Sequence, residues 1–149
     1  MNFMAAQRGT ELHAFAAECI RLGQKLQASK KTLNMFVNDS IGFKMTPEQV
    51  LYFSPNCFGT ADAIGFRKNV LRISDLKTGK LPVHMEQLII YTALFCLEYD
   101  VKPEDIKVEL RLYHLDNIIY HEPEPEEIRP IMEKIIIFDK RIEKIKMGD

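Results

Sequence analysis

The segment GTADAIGFRKNVLRISDLKTGK, residues 59–80, decides the predicted fold because it reads as two β-strands joined by a tight turn. Apolar and β-branched residues alternate with polar ones on both sides of its centre, which is typical of a hairpin. We predict strands over 57–66 and 70–77, with Lys68 and Asn69 at the tip. Lys-Asn is not the favoured Asn-Gly pair, and a loop of odd length would shift the register.

In the predicted register Arg67 lies opposite Val70, and each further step along both strands gives the next pair. Ile64 then lies opposite Ile73, and Asp62 lies opposite Asp75. Because side chains alternate along a strand, all four share one face of the sheet. The Cβ atoms of the two aspartates would be about 4.5–5.5 Å apart, which is destabilising without a cation. The sequence therefore predicts a site for Mg²⁺ or Mn²⁺, since hard divalent ions prefer carboxylate oxygens.

Two further groups belong to this predicted site. Lys77 lies two residues beyond Asp75 and should project to the same side of the sheet. There it can orient or deprotonate a metal-bound water and offset the negative charge of a phosphorane-like transition state. Leu76 points to the opposite face, but its backbone carbonyl is near enough to be an additional metal ligand. A surface salt bridge at a strand end is the alternative interpretation of Asp75 and Lys77.

The rest of the chain predicts a mixed α/β protein, with a small central sheet flanked by helices in the order α-β-β-β-α-β. A last helix follows the acidic piece HEPEPEEI, which we expect to cap it. The other predicted elements are a helix over 10–27, a loop or short helix over 29–38, a strand over 50–53, a helix over 83–99 opened by Pro82, and strands over 106–115 and 118–121.

Length and composition limit the classes of protein. A chain of 149 residues, 46% of them hydrophobic, is long enough for one well-cored domain, which we predict over 1–149. Lys and Arg number 20 against 21 Asp and Glu, so a nucleic-acid partner would need a local basic groove. The three cysteines form no CxxC pair, and the first residues lack the apolar run of a signal peptide. We therefore expect a cytoplasmic protein that makes no membrane contact.

Four pieces of the sequence together resemble the RecB-like, lambda-exonuclease-like branch of the PD-(D/E)xK nuclease superfamily, which includes phage-encoded members. They are RGTELH (8–13), GTAD (59–62), ISDLKTGK (73–80) and QLIIY (87–91), in the order and with spacing similar to the family's. The resemblance implies a restriction-endonuclease-like core. It also implies a metal-dependent deoxyribonuclease that hydrolyses phosphodiester bonds in DNA, as an exonuclease of recombination or repair.

The resemblance also assigns roles to individual residues. It implies that Asp62 and Asp75 are metal ligands, that Lys77 is the catalytic lysine, and that His13 on the first helix is a further metal ligand. The family often has an acid four residues after that histidine. Here Ala17 stands at that position and Glu18 follows it, so Glu18 is an additional candidate.

Gln87 and Tyr91 match the Q-x-x-x-Y motif of the family, whose side chains lie beside the active site and position the lysine or the DNA. Their i, i+4 spacing places both on one face of a helix, whatever the family. A pair that only satisfies buried polar groups is the structural alternative. Likewise, His13 could be no more than a polar residue on an amphipathic helix.

Other features leave alternatives open. The near-neutral charge and short length favour a second function, a nuclease-fold subunit that binds nucleic acid or acts as a scaffold with little catalysis; a phosphohydrolase for small nucleotides is a third. Arg67, Lys68, Arg72 and Lys80 are candidates for phosphate contacts. The apolar residues at 135–138 leave more than one helical face apolar, which indicates either a homo-oligomer interface or a helix buried on two sides.

Overall fold

The structure, a computed structural model, describes residues 3–148 and consists of one β-sheet with helices on both faces. A single 3₁₀ turn, Pro103–Asp105, precedes the fourth strand. The helices and strands in chain order are α1 (Phe3–Leu22), α2 (Thr32–Gly42), β1 (Thr46–Ser54), β2 (Cys57–Arg67), β3 (Val70–Leu76), α3 (Glu86–Glu98), β4 (Lys107–His114), β5 (Asn117–His121) and α4 (Pro125–Lys146).

The five strands lie side by side in the order β1-β2-β3-β4-β5. Neighbouring strands are antiparallel except β3 and β4, which are parallel. Parallel neighbours need a crossover connection, and α3 supplies it. The predicted mixed α/β architecture, with a central sheet flanked by helices, is confirmed. The restriction-endonuclease-like core stays a prediction of the resemblance.

Each face of the sheet carries its own hydrophobic core. The α3-side core joins the sheet to α3 and α4, and its fully buried members include Leu71, Ile73 and Leu110. The α1-side core joins the sheet to α1 and α2 around Phe36 and Tyr113, whose rings meet edge to face at 5.6 Å. The central strand β3 is therefore packed on both faces, and the predicted site lies at its end.

The hairpin register agrees with the prediction. Phe66 pairs with Leu71 and Ile64 pairs with Ile73. Lys68 and Asn69 have φ of 51° and 62°, so they form a two-residue turn in the left-handed region, and the even loop length preserves the register.

The boundaries of the first two helices differ from those predicted. α1 covers 3–22 rather than 10–27, and it ends where Gly23 takes a left-handed φ of 66°. The stretch predicted as a loop or short helix forms a helix of three turns, α2, which buries Phe36, Val37 and Ser40. Its stability comes from this buried face, since a helix of 11 residues is marginal without tertiary packing.

The other corrections concern strand and helix starts. β1 begins at Thr46 rather than Val50, because its pairing with β2 extends to Ile64. α3 begins at Glu86, so Pro82 lies in the preceding loop and does not open the helix. The prediction for α4 is confirmed, since Glu124 and Glu127 form a capping box. Within residues 3–148, no helix is both long and apolar enough to cross a membrane.

Candidate active site

The predicted site residues come together where β3 ends, between α1 on one face of the sheet and α3 on the other. The side chains are linked by a continuous series of contacts, which runs from α1 through β2 and β3 to α3. In that order, the residues are His13, Asp62, Asp75, Lys77, Gln87 and Tyr91.

Asp62 stands at a break in the alternation of β2. Ala61 belongs to the α3-side core and Ala63 to the α1-side core, although residues two apart on a regular strand share a face. On β1, Glu48 lies between the residues that pair with Ala61 and Ala63, and it has a left-handed φ of 50°. Local breaks of this kind redirect side chains beside functional sites. The predicted unbroken face from Asp62 to Phe66 is therefore wrong at Asp62, which turns to contact α1.

Two polar contacts hold the Asp62 carboxylate. Its Oδ2 accepts a hydrogen bond of 2.8 Å from the backbone amide of Leu76 and lies 3.4 Å from Nε2 of His13. Burial, the largest single influence, raises the pKa of Asp62, but the hydrogen bonds from His13 and Leu76 outweigh it and the pKa is lowered. Asp62 is therefore an ionised carboxylate.

His13 connects α1 to the end of β3. Its Nδ1 lies 2.7 Å from the carbonyl oxygen of Gly9, and its Nε2 lies 2.7 Å from the carbonyl oxygen of Leu76. Carbonyl oxygens only accept, so both ring nitrogens must carry hydrogen and the ring is an imidazolium. The hydrogen bond to Asp62 raises the pKa of His13 to about 9, against the opposing effect of burial.

Asp75 is the most buried member of the site, with only 4% of its surface exposed. Burial, followed by the charge of Asp62, raises the pKa of Asp75 to about 7, against the opposing ammonium of Lys77. Its Oδ2 lies 3.0 Å from Nζ of Lys77, but outside hydrogen-bonding geometry, so this buried oxygen has no hydrogen-bond partner among the described residues. A cation beside Asp75 would offset both the cost of burying its charge and the repulsion from Asp62.

Lys77 is held between the carboxylate of Asp75 and helix α3. Its Nζ donates to Oε1 of Gln87 at 3.2 Å, and Nε2 of Gln87 donates to the hydroxyl of Tyr91 at 2.9 Å. The backbone amide of Lys77 also bonds to the carbonyl of Tyr113 on β4. Tyr91, Gln87 and Lys77 therefore form one hydrogen-bonded series, and the catalytic role of the Q-x-x-x-Y pair stays a prediction of the resemblance.

Two glycines without a predicted role lie where α3 and α1 approach the sheet and the loop after β3. A Cβ at Gly59 would lie 2.6 Å from Cε1 of Tyr91, and a Cβ at Gly9 would lie 2.8 Å from Oγ1 of Thr78. A Cβ at Gly59 would press against the aromatic ring of Tyr91, so glycine there lets α3 come this near to the sheet, whereas at Gly9 the Thr78 hydroxyl could rotate away. Both glycines lie inside the sequence pieces that carry the resemblance, and this was the only feature of the sequence that could have pointed to them.

His114 is a third residue near the site for which the sequence contains no motif. It is 8% exposed, and its Nε2 lies 2.7 Å from the carbonyl oxygen of Gly79. This contact ties the loop after Lys77 to the end of β4. The loop that carries the predicted catalytic lysine is therefore anchored rather than free.

Three clefts meet at the loop that follows β3. Lys77 and Gln87 line an open cleft of about 530 Å³ beside the start of α3. Arg8 and Lys80 line a second cleft, of about 440 Å³, on the α1 side of the same loop. A third, of about 240 Å³, lies between Thr32 and Lys77. Lys77, Arg8 and Lys80 thus all border concave surface.

Other predicted candidates do not join the site. Glu18 is exposed and lies 3.6 Å from Arg21, outside the series of contacts that runs from His13 to Tyr91, and its role as a metal ligand stays a prediction. Arg72 is paired with Glu109 at 2.9 Å and stacks on Phe43, which leaves it unsuited to contact phosphate. Lys68 lies at the opposite end of β3 from Asp75, about 20 Å away at 3.3 Å per residue.

The donor set fits a hard divalent cation. Two adjacent carboxylates and the Leu76 carbonyl supply oxygen donors, and one buried oxygen of Asp75 lacks a hydrogen bond. Among residues 3–148, however, no group of three His, Cys, Asp or Glu side chains is arranged to hold a metal. The protonated His13 already places a positive charge between the Leu76 carbonyl and Asp62. Ligation by His13 therefore requires that its ring lose a proton.

Comparison of the chain with known protein families, with curated proteins and with solved structures found no match. Membership of the nuclease superfamily therefore stays a prediction from the four sequence pieces.

Proposed function

We propose that the protein is a metal-dependent deoxyribonuclease that hydrolyses phosphodiester bonds, acting as an exonuclease in recombination or repair. The observation that carries the proposal is the buried Asp75 carboxyl, which contacts Asp62 on one side and Lys77 on the other. A buried pair of carboxylates is unfavourable for stability alone, so its presence beside a fixed lysine favours a catalytic role.

Mg²⁺ or Mn²⁺ would be held by Asp62, Asp75 and the Leu76 carbonyl, with His13 as a further ligand once its ring is neutral. When bound, such an ion supplies Lewis acidity, which neutralises charge on a phosphodiester and makes water more acidic. Asp75 would then be charged without a proton, because the cation would offset the burial and the repulsion from Asp62 that raise its pKa.

Lys77 is the residue that acts on the attacking water and on the developing charge. Its side chain is 36% exposed and lines the cleft, while its Nζ contacts Asp75 and Gln87. From this position it can orient a water molecule, take a proton from it when neutral, and stabilise negative charge on the phosphate oxygens. Tyr91 contributes through Gln87, since its hydroxyl fixes the amide that orients the lysine.

The clefts around the loop favour an extended anionic substrate over a small nucleotide. Arg8 and Lys80 lie on the opposite side of the loop from the cleft of Gln87, so the cations are spread along the surface. A chain of phosphates passing over Lys77 can contact both groups, whereas an enclosed pocket for one nucleotide would gather them at one point.

The proposal is tested by incubating the purified protein with linear and covalently closed circular DNA, single and double stranded, in Mg²⁺, in Mn²⁺ and in chelator. Metal-dependent loss of linear DNA with sparing of circles is the expected result. Loss of circles as well would show an endonuclease. Metal-independent binding of DNA without cleavage in either metal would instead support the non-catalytic binding or scaffolding subunit.

A further inference from the structure

The strand β5 forms one edge of the sheet, and its outer side faces no other described strand. Its sequence, NIIYH, contains no charge and no proline. Ile118, Ile119 and Tyr120 are 41%, 44% and 46% exposed. An apolar edge strand of this kind is a template for pairing with another strand.

The opposite edge of the same sheet is protected. β1 contains Pro47, a left-handed φ at Glu48 and a register shift between Tyr52 and Ser54. Each of these features interrupts the row of hydrogen-bonding groups that a second strand would need. β5 has none of them, so the two edges differ in what they can bind.

The turn before β5 decides which backbone groups point outward. Leu115 and Asp116 have φ of 49° and 61°, which makes a two-residue turn. The flanking residues His114 and Asn117 then form a hydrogen-bonded pair, and such pairs alternate along an antiparallel ladder. The N–H and C=O groups of Ile118 and Tyr120 therefore point to the open edge.

We propose that β5 pairs antiparallel with β5 of a second copy of the chain, about a two-fold axis at Ile119. In this register Ile118 lies opposite Tyr120 of the partner subunit, and each pair exchanges two hydrogen bonds. All the outward-pointing backbone groups of Ile118 and Tyr120 are then satisfied in both copies. The side chains of the two Ile119 residues meet at the axis, and the two sheets become one sheet of ten strands.

A second copy is the partner that this strand fits best. Two copies of β5 have the same length and the same outward-pointing backbone groups, and neither contains Asp, Glu, Lys or Arg. A closed two-fold interface requires such a self-complementary surface. The acids beyond its ends, Asp116 and Glu122, would face each other across the axis. Both are already engaged, because Asp116 accepts hydrogen bonds from Thr32 and Glu122 lies 3.2 Å from Lys107.

The strand is also held in place before any partner binds. The amide and hydroxyl of Thr32 on α2 bond to Asp116 at 2.9 and 3.0 Å, which anchors the turn to α2. The ring of Tyr120 packs under the guanidinium of Arg111, with 4.9 Å from Cζ to the ring centroid. Pairing therefore needs little ordering of the strand, which lowers its entropic cost.

The test measures the mass of the full chain by light scattering and sedimentation over the micromolar range. The wild type is expected to sediment as a dimer. Ile119→Lys, which brings two ammoniums together at the axis, is expected to sediment as a monomer with an unchanged circular dichroism spectrum. The matched control is Val50→Lys on the protected edge β1, where a residue 52% exposed is replaced and the dimer should persist.

A second variant tests the same edge independently, in case the first does not fold. Ile118→Pro removes an N–H that points to the open edge and leaves the bonds to β4 intact, so it too should give a folded monomer. A wild type that stays monomeric throughout the range would overturn the proposal. So would a folded Ile119→Lys that remains dimeric, or a dimer that Ile137→Glu on α4 dissociates and Ile119→Lys does not.

Discussion

Asp62 and Asp75 lie side by side at the end of the β2–β3 hairpin, yet their pKa values shift in opposite directions. Asp62 is stabilised as a carboxylate by the Leu76 amide and by His13. Asp75 is more deeply buried and receives only the ammonium of Lys77, so its charged form is disfavoured. One carboxylate is therefore a fixed anion, and the other is charged readily only when a cation is present.

Exchanging each carboxylate for an amide should change stability in opposite directions at pH 8 in chelator. Asp75→Asn should raise the free energy of unfolding by about 1–3 kcal/mol, since it removes a buried charge that is poorly compensated. Asp62→Asn should lower it by about 1–3 kcal/mol, because it removes a charged acceptor of two hydrogen bonds. Urea denaturation of the three proteins measures both effects, and two changes of the same sign would contradict this description of the site.

The Asp75 effect should also depend on pH. Its folded pKa, about 7, lies above the ordinary value of 3.8, so ionisation opposes folding. Wild-type stability should fall relative to Asp75→Asn as the pH rises from about 4 to 7, and the difference should then stay constant. Adding Mg²⁺ at pH 8 should raise the melting temperature of the wild type and leave that of Asp75→Asn nearly unchanged. An equal rise in both proteins would place the metal elsewhere.

His13 should contribute to stability in a higher pH range. Its folded pKa, about 9, lies above the ordinary value of 6.5, so its contribution is complete below about pH 6.5 and is lost as the pH rises through 9. In chelator, the NMR signal that His13→Gln removes should titrate near pH 9. Saturating Mn²⁺ would broaden that signal, so Mg²⁺ is the ion to add. Mg²⁺ should lower the apparent pKa of His13, because ligation needs the neutral ring. A pKa unaffected by Mg²⁺ would exclude His13 as a ligand.

Gly59→Ala should disturb the site from a distance. A Cβ there would lie 2.6 Å from the ring of Tyr91, so the ring must move and Gln87 loses its hydroxyl partner. We expect a loss of about 1–3 kcal/mol in stability and at least a tenfold loss of activity. Gly42→Ala is the matched control, since nothing lies within 4 Å of its added Cβ, and it should be neutral or slightly stabilising. Full activity in Gly59→Ala would show that the position of Tyr91 does not matter.

The basic groups beside the loop should control DNA affinity. Arg8→Gln and Lys80→Gln together remove two charges from one cleft, so DNA binding should weaken and its salt dependence should fall by about two ion equivalents. Lys68→Gln at the far end of the hairpin is the control that should change neither. Fluorescence anisotropy with labelled DNA in Ca²⁺, over a salt series, measures both quantities. Equal effects of the control and the double variant would remove this cleft from the DNA path.

The sequence predicts the centre of the fold better than its edges, for physical reasons. The hairpin register followed from alternation and turn length, which are local properties. The shared face of Asp75 and Lys77 followed from that alternation, and the shared face of Gln87 and Tyr91 from helix spacing, whereas the contact of Gln87 with Lys77 was implied only by the resemblance. The start of α3 was predicted too early, because proline in a first turn is allowed but not required. α2 was underestimated, although Leu33, Phe36, Val37 and Ile41 have helical spacing; its polar residues hid that pattern.

The contacts around Asp62 could not be predicted from strand geometry. Its turn toward α1 depends on the left-handed backbone of Glu48 in the neighbouring strand, a non-glycine residue with no sequence signal for that conformation. The His114 contact with Gly79 joins residues 35 positions apart and likewise has no local signature. The contact of His13 with Leu76 was accessible only through the resemblance, because it joins residues 63 positions apart.

The central claim is that Asp75 and Lys77 carry metal-dependent hydrolysis of DNA. Its most direct test follows the cleavage of end-labelled linear duplex DNA under single-turnover conditions in Mg²⁺ and in Mn²⁺, for the wild type, Asp75→Asn, Lys77→Met and the control Lys68→Gln. We predict that chelator and the first two substitutions each lower the rate by at least about 100-fold, and that the control cleaves at the wild-type rate. Cleavage by folded Asp75→Asn or Lys77→Met at the wild-type rate, or no cleavage by the wild type in either metal, would contradict it.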